Sequence, residues 1–123
     1  MTQLAAVAYG VAILGVIGFQ VGLIAGKPWG HLTQGGQHDG PLPASGRVAA
    51  AASILLLACM GAAVASAAGF PPGWPAWSGW VAVGVQALST LLNWITPSAA
   101  ERRLWGPVTT CMLVLSAFVV WVG

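Results

Sequence analysis

Charge is what this chain of 123 residues has least of. Four Lys and Arg with two Asp and Glu make 5% charged residues beside 58% hydrophobic ones, where a soluble domain carries roughly 25% charged. So little charge excludes a water-covered surface. A net charge of +2 with no Lys/Arg stripe interleaved with aromatics also excludes nucleic acid as a partner. Cysteine is scarce too. Cys59 and Cys111 are expected about 18 and 9 Å from the charged ends of their helices, a mismatch in depth that rules out a disulfide and leaves them as buried packing thiols. No C-x-x-C, P-loop, G-x-G-x-x-G or H-E-x-x-H occurs. His31, His38 and Asp39 alone are too few for a closed metal site, so neither metal nor cofactor is implied. Met1 to Gln3 lack a positive n-region, and the apolar run behind them is too long for a signal peptide, so this run is expected to stay as a helix.

What the chain does have is long hydrophobic runs. Leu4 to Gly26 is free of charge and long enough to cross the roughly 30 Å hydrocarbon layer at about 1.5 Å per residue. Three further runs follow at 48–69, 77–96 and 105–123, the last with Pro107 expected in its first turn. The fold expected is therefore all-α: a single transmembrane domain, a four-transmembrane-helix bundle with helices at about 4–26, 48–69, 77–96 and 105–123. Gly18, Gly22 and Gly26 recur at intervals of four, a small-residue face suited to close packing within the bundle or to a homodimer seam. Phe70 to Ala76, with three prolines and a glycine, is a tight turn. Trp74, Trp77, Trp80 and Trp121 read as an interfacial belt on its side.

Alternating directions put the polar loops 27–47 and 97–104 on one face together with all six charged residues. Lys27, Arg47, Arg102 and Arg103 make that face cytoplasmic by the positive-inside rule, which leaves both termini extracytoplasmic in a multi-pass protein of the inner (plasma) membrane. Measured from this face, Gln20, Ser89, Thr90 and Thr110 lie about 8 to 10 Å deep, Asn93 about 5 Å, and Gln86 and Ser116 near the midplane. Such a layer either bonds helix to helix or walls a cavity that opens to the cytoplasm.

The chemistry available sits above that layer. Asp39 and Glu101, with His38, are the candidate acid/base catalysts. Trp29, His31, Arg47, Gln20, Gln86, Asn93, Arg102 and Trp105 are the candidate substrate contacts. Each has a plainer use: Asp39-Gly40 suits a turn, the arginines suit lipid phosphates, and Ser98 with Glu101 spells the capping box S-x-x-E, opening a short helix.

Two sets of short motifs also carry a resemblance. Pro28-Trp29-Gly30, Gly35-Gly36, Leu42-Pro43 and Arg47, followed by Asn93, Pro97-Ser98, Glu101-Arg102 and Trp105-Gly106-Pro107, are similar to a pattern in small bacterial four-helix membrane proteins of an uncharacterised-domain family. The resemblance implies that the two polar segments belong together; it brings no activity. Small multidrug transporters share the length and helix count but rely on an acid in the first helix, where this chain has Gln20. The function expected is a membrane-embedded enzyme performing acid/base chemistry (isomerisation, cyclisation or ring opening) on a lipophilic small molecule that enters from the lipid bilayer. A transporter or channel subunit and an accessory membrane protein are the alternatives. A transport path would need polar groups in the outer half, where only Tyr9, Ser66 and Ser78 are available.

Overall fold

The fold, obtained as a computed structural model, describes every residue except Gln37 and Asp39. It is all-α among the described residues. Helix α1 spans Thr2–Ile24, α2 Ala44–Ala67, α3 Ala76–Ile95 and α4 Ala99–Val122, with two short 3₁₀ turns, Gly30–Leu32 and Gln34–Gly36, between α1 and α2. α1, α2 and α4 are long and apolar enough to cross a membrane. α3 carries no charge, but its 20 residues include Gln86, Ser89 and Asn93 and three tryptophans, which keep it below that threshold. Exposed Leu4, Val11, Leu14, Leu55, Leu88, Leu91 and Val114 cover the outside of the bundle with apolar surface, which water would solvate poorly and lipid well.

The helix ends follow local chemistry. Gly26 and Gly69, expected as last helical residues, lie just beyond the ends of α1 and α2 at φ +93° and +92°. There they close Schellman motifs: Lys27 N–H donates to Gly22 O at 3.0 Å, and Phe70 N–H to Ala65 O at 3.0 Å. α2 begins four residues before the expected 48, since Pro43 supplies the N-cap and Ala44 to Arg47 form the first turn. α4 begins at Ala99 rather than 105. The Ser98 cap opens the same helix that continues to Val122, so Pro107 lies inside it and not in its first turn. Beside this proline, Thr110 Oγ1 donates to Gly106 O at 2.7 Å, and Trp94 Nε1–H donates to Thr110 Oγ1 at 2.8 Å.

α1 packs chiefly on α2 and α3 on α4. At one end, Gly123 lies against Ala67 and Thr2, so both termini share the end of the 68–75 turn. Trp80 and Trp121 meet edge to face there, 6.0 Å between centroids. Ala6, Tyr9, Ile13, Met60, Ala63, Val64, Ala82, Met112 and Val119 form one core. At the other end Leu23, Leu42 and Ala50 form a smaller one that pins the loop to α1 and α2. The three-glycine face of α1 is divided among three uses. Gly22 lies under the ring of Trp29, which also stacks on Phe19 at 5.4 Å; Gly26 closes the helix, and only Gly18 stays open. Both cysteines are free and exposed on the outer surface, a correction to their expected burial. Apolar surroundings in a bilayer suit a thiol as well as the core does.

Candidate functional site

A cavity of about 700 Å³ opens between the helices at the loop end. α1 contributes Val16, Phe19 and Gln20; α2 Ser53, Leu56, Leu57 and Met60; α4 Glu101, Trp105, Thr109 and Met112. The longest wall is α3, from Val85 to Ile95, continued by Thr96, and Thr33, Gln34 and Gly35 of the loop close the end. Leu56, Leu88, Leu92 and Ile95 line the cavity and are also exposed on the surface of the bundle. The mouth therefore opens sideways between α2 and α3, and an apolar groove of about 210 Å³ along Cys59, Trp77 and Val81 continues from it.

The polar layer has two parts. The floor is closed: Tyr9 Oη donates to Gln86 Oε1 at 2.9 Å, Gln86 Nε2 reaches Thr109 O at 3.5 Å, and Thr90 Oγ1 donates to Gln86 O at 2.8 Å and Thr109 O at 3.1 Å. Gln86 is only 2% exposed, and this bonding explains how an amide can be buried so deeply. Above the floor lie groups with capacity to spare. Asn93 Nδ2 is bonded to Ser89 O at 2.7 Å, while its carbonyl oxygen and the whole amide of Gln20 have no bond partner among the described residues.

Glu101 joins the cavity to the loop. The Ser98 hydroxyl accepts Glu101 N–H at 3.2 Å, half of the expected capping box. The other half is redirected. Ser98 N–H donates to Thr96 Oγ1, and the Glu101 carboxylate reaches across the bundle end to accept Gly35 N–H on Oε2 at 3.2 Å. Glu101 is 5% exposed yet lines the cavity, and its Oε1 has no partner among the described residues. Two more bonds seat the loop on α4: Ser98 Oγ donates to His31 O at 2.9 Å, and Trp105 Nε1–H to Leu32 O at 2.8 Å. Gly36 packs so tightly on Ser98 that an added Cβ would lie 2.6 Å from the serine Cβ. The loop is a lid over the cavity. The two polar segments that the sequence motifs associate are in direct contact.

Of the expected substrate contacts, Gln20, Gln86, Asn93 and Trp105 line the cavity, as does Glu101 of the expected catalysts. Trp29, His31, Arg47 and Arg102 do not. Trp29 packs on Gly22, His31 offers only its main-chain oxygen, Arg47 Nε–H donates to Leu42 O at 2.9 Å and Arg102 to Thr96 O at 2.6 Å. The two arginines expected to contact substrate instead brace chain turns, because the carbonyls left over there compete for guanidinium donors. His38 is exposed and outside the cavity lining, and Asp39 lies outside the described residues. Sequence reasoning missed Phe19, Thr33, Gln34, Gly35 and the Tyr9 to Gln86 bond. Only the pairing of one tyrosine with one mid-span glutamine gave any signal, two polar groups needing partners in an apolar layer.

The molecule these features define is an all-α protein with three helices able to cross a membrane and a laterally open, carboxylate-bearing cavity. The chain matches no protein-family model, no curated protein and no solved structure.

Proposed function

We propose that this is an integral protein of the plasma membrane in which all four helices cross the bilayer, and that it is an enzyme performing acid/base chemistry on a lipophilic small molecule. Spanning by α3 is supported by its two-sidedness. Gln86, Ser89, Thr90 and Asn93 are turned to the floor and cavity, while Trp80, Val81 and Leu91 are exposed outside the cavity lining and left for lipid. Lys27, Arg47, Arg102 and Arg103 all belong to the lid end, so that end is cytoplasmic and the termini are extracytoplasmic. A phosphatase fused after Gly123 is expected to be active; an inactive one would invert the topology.

The observation that carries the enzymatic reading is the carboxylate of Glu101, the only one lining the cavity among the described residues, in a cavity whose mouth opens between the exposed apolar side chains of α2 and α3. A lipophile can enter between α2 and α3 without crossing water. Glu101 takes a proton from it and returns the proton elsewhere, an isomerisation that needs no redox partner, and the Gln20 and Asn93 amides offer hydrogen bonds to the polarised substrate. A transport path is disfavoured by the closed floor and by the outer half of the bundle, where Ser66 and Ser78 hydroxyls are bonded to Ala62 O and Pro75 O. Exchange chemistry gives a test that needs no known substrate. The protein in vesicles of its host's lipid extract is incubated in heavy water, and lipophilic components are analysed by mass spectrometry. Deuterium is expected in one of them, about a hundredfold more slowly with Glu101→Gln, whose amide oxygen can still accept Gly35 N–H. Absence of incorporation, or full incorporation by the variant, would overturn the reading.

A further inference from the structure

We propose that the molecule this cavity takes is an amphiphilic cation: an apolar body carrying a protonated amine or ammonium head. The inference deepens the lipophile reading and rests on it. Among the described residues, Glu101 is the only ionisable side chain in the lining, and no Lys, Arg or His joins it. The two arginines closest in the chain to the lid and α4 cap, Arg47 and Arg102, have donors committed to Leu42 O and Thr96 O and are absent from the walls. An anionic head, whether carboxylate or phosphate, would meet a like charge with no counter-charge among the described lining residues, in a poorly screened site. A cationic head meets a carboxylate whose Oε1 has no partner among the described residues, and the pair is a charge-assisted hydrogen bond. Trp105 stands one turn beyond Glu101 on the same face of α4, and Phe19 packs edge-on to it at 4.9 Å between centroids. Both rings line the cavity, and aromatic faces attract cations and not anions. Two of the other polar groups in the lining, Gln20 and Asn93, carry amide oxygens able to accept from an ammonium. The volume of about 700 Å³ lies within the roughly 300 to 1,000 Å³ of small-molecule sites.

The test uses three probes with the same twelve-carbon chain: N,N-dimethyldodecylamine, dodecan-1-ol and dodecanoate. Binding to the full chain in phosphatidylcholine nanodiscs is followed by calorimetry at neutral pH, with empty nanodiscs subtracted. The amine is expected to bind saturably and at least about tenfold more tightly than the alcohol, with dodecanoate weakest. In Glu101→Gln the advantage of amine over alcohol should fall below about threefold, and Glu101→Asp should keep it. Dodecanoate binding as tightly as the amine, equal binding of amine and alcohol, or an undiminished preference in Glu101→Gln overturns the charge assignment and leaves the lipophile reading standing. Failure of all three probes to bind saturably overturns both. Should Glu101→Gln fail to assemble, the ranking of the three probes on the unaltered chain decides the matter.

Discussion

The two ends of the bundle are built from the same helices and packed in opposite ways. At the end that holds the termini, small residues sit where helices meet: Gly79 against Val120 and Ala67, with Ala63 and Ala82 in the core beside Tyr9 and Val119. At the lid end, α2 and α3 face each other across the cavity with Leu56, Leu57, Leu88 and Leu92, and with Ser53, Ser89 and Asn93. Closeness of approach is set by side-chain size, so alanine and glycine draw the backbones together where leucine holds them apart. Polar groups with no partner across the gap then remain available to something else. The same pair of helices thus makes a tight joint and an open portal.

That contrast can be broken most severely at the tight end. Tyr9→Ala would remove a wholly buried ring from the core and the hydrogen bond that satisfies Gln86, and it is expected to lower stability by about 3 to 5 kcal/mol in reversible unfolding from mixed micelles. A loss no greater than at the lid would show that the two ends do not differ. Gly36→Ala acts on the lid. At φ +70°, with Ser98 in the way, the new methyl strains the backbone by about 1 to 3 kcal/mol, to be read as faster hydrogen exchange at Gly35 with α1 to α4 still protected. Gln20→Leu is the smallest expected change, within about 0.5 kcal/mol of the parent, because the amide it deletes has no bond partner among the described residues. A large destabilisation there would make Gln20 part of the scaffold.

Much of the fold was legible in the sequence because bilayer physics leaves few choices: uncharged runs of sufficient length become helices, and Gly26 and Gly69 mark their ends. The S-x-x-E box was legible as a cap. Its Glu101 was not legible as a tie to Gly35, since the partner of a side chain from a distant segment has no periodicity to reveal it. Spacing misled at Gly22, where an interval of four serves a folded-back tryptophan as well as a neighbouring helix. It misled again at Arg47 and Arg102, because a cationic residue at a membrane face reads the same whether it meets a ligand or a loop carbonyl. The cavity itself was foreshadowed by Gln20, Ser89 and Asn93, while its sideways mouth depends on helix splay, which no local pattern encodes.

The seating of the lid is unequal in kind. α4 contributes side chains, those of Ser98, Glu101 and Trp105, and the loop contributes main-chain atoms of His31, Leu32 and Gly35. Every residue type but proline owns both kinds of atom, the carbonyl oxygen and the N–H. Substitutions along the loop's outward side can accumulate without unseating it, whereas the three positions on the helix have few replacements. His31 and His38, both exposed, are consequently free to vary with whatever that surface must display, and a mutational scan should find tolerance at these histidines beside intolerance at their helical hosts.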